Sequence, residues 1–199
     1  MLKRKKTKIA IIGCGAIGEG IALFIEGKLS SFACLIGLCD QNPLAIDKLK
    51  RKIRSNPQSF TIDQALEKAD LIIEAASGEA AGIIVRKNIK YKKDLVILSA
   101  GGLLKNFNHL ERLKENKVNI YVPSGAICGV DALGAVSKGE IKKISLTTSK
   151  PPRALSGVDY FKKKNIVLNR IKKARLVFKG SVKEAVRYFP KNINVAATL

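Results

Sequence analysis

Histidine occurs once in the 199 residues, at His109, so the chain supplies neither a zinc-ligand cluster nor a Ser-His-Asp constellation. The four cysteines, Cys14, Cys34, Cys39 and Cys128, include no C-x-x-C pair, which leaves buried, reduced thiols as the expected state. Long apolar runs are missing as well. Glu19, Glu74 and Glu79 interrupt the best stretches, short of the roughly 18 residues that a membrane span needs. The basic start, Met1 to Lys6, leads into a glycine-broken run and not into a signal-peptide core. A soluble, cytoplasmic protein with no membrane partner is expected. Acids are scarce, 16 against 37 lysines and arginines, for a net charge of +21. That balance alone would point to nucleic acid. However, the cations are dispersed, clustering only at Lys3 to Lys8, Lys48 to Arg54 and Lys162 to Arg175, and no aromatic residues interleave with those clusters as stacking platforms. The reading is a solvated, lysine-rich surface that draws in anionic ligands, with nucleic acid not expected as a partner.

What is present begins with Ile9-Ala10-Ile11-Ile12-Gly13-Cys14-Gly15-Ala16-Ile17-Gly18, an apolar run feeding glycines spaced G-x-G-x-x-G. In such a turn Gly13 permits the tight reversal, Gly15 lets backbone approach a pyrophosphate, and Gly18 lets the helix pack closely on the strand. The phosphates would sit on a helix N-terminus. Ile17, Ile21, Phe24 and Ile25 then read as the apolar stripe of an amphipathic helix facing a sheet. A second apolar run, Cys34 to Cys39, ends in Asp40, 22 positions after Gly18. An acid there suits the adenosine ribose hydroxyls and favours NAD over NADP, whose 2′-phosphate would meet a like charge.

The alternation continues. Pro43 opens a helix whose apolar side is Leu44, Ile46, Leu49 and Ile53. Thr61-Ile62-Asp63-Gln64 reads as a capped start, followed by Ala65, Leu66 and Ala69. Then come a strand at Leu71 to Ile73, a helix around Ala80 to Lys90, a strand at Leu95 to Leu98, a helix around Leu103 to Asn116 and a strand at Ile120 to Val122. Alternating units with short connections imply a parallel sheet covered on both faces. Beyond Pro123 the character changes: glycines crowd a short interval, a strand is expected over Ile141 to Thr148, another at Leu176 to Phe178, and a helix from Ser181 to Tyr188. The expected fold is α/β, an N-terminal Rossmann-like parallel sheet with a second, smaller α/β domain. The domains are read as 1–122, dinucleotide-binding, and 123–199, for substrate and oligomer contacts, with the ligand in the cleft between them.

Five blocks resemble the L-aspartate dehydrogenases of NAD biosynthesis: Gly13 to Gly18; Glu74-Ala75-Ala76-Ser77; Pro123 to Leu133, reading PSGAICGVDAL; Leu146 to Pro152, reading LTTSKPP; and Phe189 to Leu199, reading FPKNINVAATL. The third and last are the specific ones. The resemblance implies NAD(P)-dependent oxidation of L-aspartate to iminoaspartate, which hydrolyses to oxaloacetate and ammonia or passes to quinolinate synthesis, in a homo-oligomer. It implies a cofactor site of Gly13, Gly15, Ala16, Ile17, Gly18, Asp40, Ala76, Ser77, Ala126 and an asparagine of the last block, Asn194 favoured over Asn192. Ser124 and Lys150 are the substrate-side candidates, and no metal is expected. Lys150 reads equally as a solvated lysine ahead of two prolines.

In the family, the stretch after the last block carries the histidine that acts as general acid/base. These residues stop at Leu199, so the chain reads as shortened and its catalytic group stays unassigned, with weak or no turnover expected. His109 lies in a polar helical segment and is read as a surface histidine. Gly102 stands where alanine is commoner, and Ser149 where arginine is. Glu74 and Asp131 are the acids left near the site. The reading from another class is a catalytically silent protein that binds or senses NAD.

Overall fold

The computed structural model describes residues 5–123, 133–134, 136–189 and 194. The chain divides into two compact units, Met1–Pro123 and Ser124–Leu199.

The first unit alternates strand and helix: β1 (Thr7–Ile12), α1 (Ala16–Lys28), β2 (Ala33–Cys39), α2 (Pro43–Lys50), β3 (Gln58–Ser59), α3 (Ile62–Lys68), β4 (Leu71–Glu74), α4 (Gly78–Tyr91), β5 (Asp94–Ile97), α5 (Phe107–Glu115) and β6 (Ile120–Tyr121). All neighbouring strands pair in parallel, in the order β3-β2-β1-β4-β5-β6. That is the doubly wound order, in which the direction of winding reverses between β1 and β4 and a crevice opens at the carboxyl ends of the strands. Successive side chains of β1 point to opposite faces. Ala10 and Ile12 join the core formed with Leu66, Ile84, Val85 and Leu113, whereas Ile9 and Ile11 join Ala22, Ile25, Ile46 and Leu49. The sheet is therefore buried on both sides, as its near-continuous apolar strands require.

Local signals fix several helix starts. Asn42 caps α2 through its side chain, with Pro43 in the first turn. Thr61 and Gln64 form a reciprocal capping box on α3, satisfying two backbone N–H groups that the helix leaves open.

Other expectations are corrected. Ile17 and Phe24 are 58% and 57% exposed, whereas Ile25 is buried and Ile21 packs against the core as expected, and α1 buries Gly18 and Ala22 beside them. The close approach of Gly18 to the backbone before the helix turns that face inward, and this outweighs the apolar character of Ile17 and Phe24. Leu44 is exposed while Ile46 and Leu49 face the core. The helix expected from Leu103 starts at Phe107, because Ala100–Gly102 is a 3-10 turn whose Gly102 carbonyl accepts a hydrogen bond from the Asn106 side chain. The short β3 has no apolar run to mark it and was not expected.

In the second unit, α6 (Asp159–Lys163) and α7 (Val182–Tyr188) are helical. Ser181 and Glu184 close a capping box on α7 at the place the sequence indicates. Tyr160, Phe161, Phe178, Tyr188 and Phe189 form an aromatic cluster with ring centroids 5.0 to 6.0 Å apart. The strands expected at 141–148 and 176–178 do not form among the described residues. Ile141, Ile144 and Leu146 are exposed there. A strand exists only where a neighbour takes up its backbone hydrogen bonds, and the apolar alternation of this segment cannot supply one.

Candidate functional site

The glycine-rich turn joins β1 to α1 at the carboxyl edge of the sheet. Gly13 holds φ at +104°, a conformation open to glycine, and a Cβ there would lie 2.6 Å from the Ala75 carbonyl. A Cβ on Gly18 would lie 1.9 Å from the Gly13 carbonyl oxygen. Both glycines are thus demanded by the protein's own packing. Gly15 differs, because a Cβ there would meet nothing within 4 Å. It is the N-cap of α1 and brings no side-chain cap, so the first N–H groups of the helix face outward at its positive end. A close-packed turn with an open central glycine at an uncapped helix start is a cradle suited to a pyrophosphate. Ala16 and Ile17, also expected here, are exposed in the first turn of α1.

Across the turn, Asp40 follows β2. Its Oδ2 accepts the Cys14 N–H at 2.7 Å and its Oδ1 accepts the Asn42 N–H at 2.8 Å. A carboxylate has about four acceptor positions, so this fixed, half-buried group keeps capacity for ribose hydroxyls. Cys14 is buried and its thiol is pushed up to about 12, by burial first and then by the negative charge of Asp40 and by Cys39. Burial, followed by Asp40, also raises Cys39. Cys14, Cys34 and Cys39 are free thiols. Cys128 lies outside the described residues.

The next turn, after β4, carries Ala76 and Ser77. The Ser77 hydroxyl accepts the Ala80 N–H and caps α4, while the Ala76 N–H donates to Glu74. Gly13 backs against Ala75 and Ala76, so the structure brings Gly13, Gly15, Gly18, Asp40, Ala76 and Ser77 together along one edge. Ser124, Ala126 and Asn192 lie outside the described residues. Lys150 and Asn194 are exposed in the second unit.

Sequence reasoning missed the role of Glu74. It is fully buried, with Oε1 accepting the Ala76 N–H at 2.7 Å and the Ser99 hydroxyl at 2.9 Å, and Oε2 accepting the Ser99 N–H at 2.9 Å. A carboxylate engaged this way is not placed to take a proton from a substrate. The available signal was an acid closing the apolar run of β4. His109 is half-buried and not a plain surface residue. It lines a shallow cavity of about 400 Å³ with Asp63, Arg86, Lys87, Ile89, Lys90 and Tyr91. Among the described residues, no group of three or more His, Cys, Asp or Glu side chains could hold a metal ion, and no helix is long and apolar enough to cross a membrane.

Residues 13–123 match the family model described as the NAD binding domain of homoserine dehydrogenase, and residues 131–199 match that of aspartate dehydrogenase, C-terminal. The chain is 39% identical over 197 residues to an L-aspartate dehydrogenase of Nitrosopumilus maritimus, spanning 96% of this chain and 72% of that relative. With the L-aspartate dehydrogenase of Methanosarcina barkeri the identity is 38% over 196 residues, at the same shares of the two chains. The crystal structure of aspartate dehydrogenase from Thermotoga maritima is similar with a TM-score of 0.72 and 26% identity, covering 98% of this chain and 72% of that one.

Proposed function

Because the chain belongs to the L-aspartate dehydrogenase family, we propose that it oxidises L-aspartate to iminoaspartate with NAD(P), the imine then hydrolysing to oxaloacetate and ammonia or passing to quinolinate synthesis. The observation that carries the reading is the contrast among the three glycines. Gly13 and Gly18 are closed by the protein's own atoms, and Gly15 is left open at the start of α1. When bound, the dinucleotide supplies the hydride acceptor. In the first unit Gly13, Gly15, Ala16, Ile17 and Gly18 would hold its pyrophosphate, Asp40 its adenosine ribose, and Ala76 and Ser77 the far half. In the second unit, Ala126 and Asn194, with Asn192 as the alternative, are proposed as further cofactor contacts. Ser124 and Lys150 are proposed to face the substrate carboxylates, since a dicarboxylate needs charge-assisted donors in place of water.

Asp40 supports NAD as the preferred cofactor, because its charge would repel a 2′-phosphate. Proton removal from the amine is assigned neither to Glu74, whose oxygens are engaged, nor to His109, which lines a cavity of α3, α4 and α5 residues. A cytoplasmic homo-oligomer belongs to the same proposal. The exposed Leu23, Phe24 and Phe32 support association, to be read by sedimentation.

The test is to mix the protein with NAD and L-aspartate and follow reduced nicotinamide, with D-aspartate as control. Reduction specific to the L-isomer supports the reading. NADH binding with no reduction at any aspartate concentration would replace it with a silent NAD-binding protein.

A further inference from the structure

We propose that Glu74 is a positioning residue for the nicotinamide half of the cofactor, fixing the turns after β4 and β5 as one wall. The inference rests on the dinucleotide reading above. In a doubly wound sheet the ligand lies across the switch point. With the adenosine ribose at Asp40 beside β2, the other half must run toward β4 and β5. The wall it meets there is made of Ala75 to Ser77 and the segment from Ser99 to Gly102.

The β4–β5 ladder does not join these segments, since it ends with the pair Glu74–Ile97 and the Leu98 N–H to the Glu74 carbonyl at 3.1 Å, while on the other side the Ala75 N–H continues the β1–β4 ladder to the Ile12 carbonyl at 2.8 Å. Beyond that point the Glu74 side chain takes over. One oxygen binds both turns, through the Ala76 N–H and the Ser99 hydroxyl, and the other binds the Ser99 N–H. A buried charge needs compensation. Glu74 has no ion pair among the described residues, so these three donors supply it. Two further contacts lock the same pair of turns. A Cβ on Gly102 would fall 2.1 Å from the Gly78 carbonyl oxygen, and the Asn106 side chain donates to the Gly102 carbonyl at 2.8 Å while accepting from Arg86 at 3.1 Å.

On its other side the Ala75–Ala76 turn lies against Gly13. It is therefore held between the pyrophosphate turn and the Glu74–Ser99 bonds, and Glu74 sets how far the second wall stands from the first. The adenosine side depends on Asp40 and Cys14, 2.7 Å apart, which Glu74 does not touch.

The consequence is a split between two ligands. Glu74→Gln keeps the side-chain shape but turns an amide donor toward N–H or O–H donors. NADH affinity should fall about tenfold, the scale of one charge-assisted hydrogen bond, while affinity for AMP, which occupies only the adenosine side, stays within about twofold. Ser99→Ala, which removes one of the three bonds, should shift NADH in the same direction by less and decides the matter if the first variant does not fold. Unchanged NADH affinity, or NADH and AMP falling together, would overturn the proposal. A wild-type chain that binds AMP and NADH equally poorly would overturn the dinucleotide reading beneath it.

Discussion

The Cys14 N–H donates to the Asp40 carboxylate at 2.7 Å, so the residue expected to read the ribose also buttresses the loop expected to hold the phosphates. Asp40 thus couples recognition to loop geometry, with its second oxygen taken by the Asn42 N–H.

Asp40→Ala should therefore do two things at once. The preference for NAD over NADP should narrow, and stability should fall by about 1–3 kcal/mol as two backbone donors lose their acceptor. Parallel titrations with both dinucleotides, beside denaturant unfolding, read the two effects. A preference left as wide as in the wild type would remove the ribose role.

The same carboxylate shields a thiol. With Cys14 held up at about 12 by burial and then by Asp40 and Cys39, almost none of it is thiolate near neutrality. Iodoacetamide should leave Cys14 unmodified in the folded protein at about pH 8, and Asp40→Asn should speed its labelling. Peptide mass analysis after alkylation shows which cysteines reacted.

Much of this edge is readable from sequence because it is local. The Gly13 to Gly18 spacing, the acid after β2 and, elsewhere in the first unit, the capped start at Thr61–Gln64 each span a few residues or a regular interval. Their chemistry is complete within that span. Ile17 and Phe24 were misplaced because the inward face of α1 is set by a backbone contact between Gly18 and Gly13, which hydrophobic periodicity does not record. Glu74 was undervalued for a similar reason: its partner Ser99 lies 25 residues away, joined only by the β4–β5 pairing. The segment 141–148 has the alternation of a strand, yet pairing is a property of two segments.

Glu26 ties α1 to the stretch after α2, accepting the Arg54 N–H at 2.7 Å and the Ser55 N–H at 2.8 Å. Burial works to raise its carboxyl, but the Ser55 side chain beside it, the two N–H groups and the Arg54 charge hold it below the usual value. A depressed carboxyl contributes stability above its unfolded value of about 4.3, and that contribution is lost as pH falls through the folded value. The stability gap between wild type and Glu26→Gln should therefore be full near neutrality and shrink below about pH 4. Urea unfolding at the two pH values measures it, and a gap that widens on acidification would contradict the assignment.

Whatever rate of L-aspartate turnover the unsubstituted chain gives, His109→Ala should leave it within about twofold, far from the roughly 10²- to 10⁴-fold that a general base contributes. Initial rates at saturating NAD check this, and a hundredfold loss would make His109 the base and move the active site.

The most direct measurement of the central claim compares NADH affinity and folding in Gly15→Ala and Gly18→Ala. A methyl on Gly18 strikes backbone at 1.9 Å and should cost about 1–3 kcal/mol or more of stability. A methyl on Gly15 meets no protein atom within 4 Å, so that variant should fold with at most about 1 kcal/mol lost as a poorer N-cap. The same methyl would stand where the pyrophosphate must approach, and the account predicts NADH affinity at least about tenfold below wild type in a folded Gly15→Ala protein. Undiminished NADH binding by that variant would contradict it.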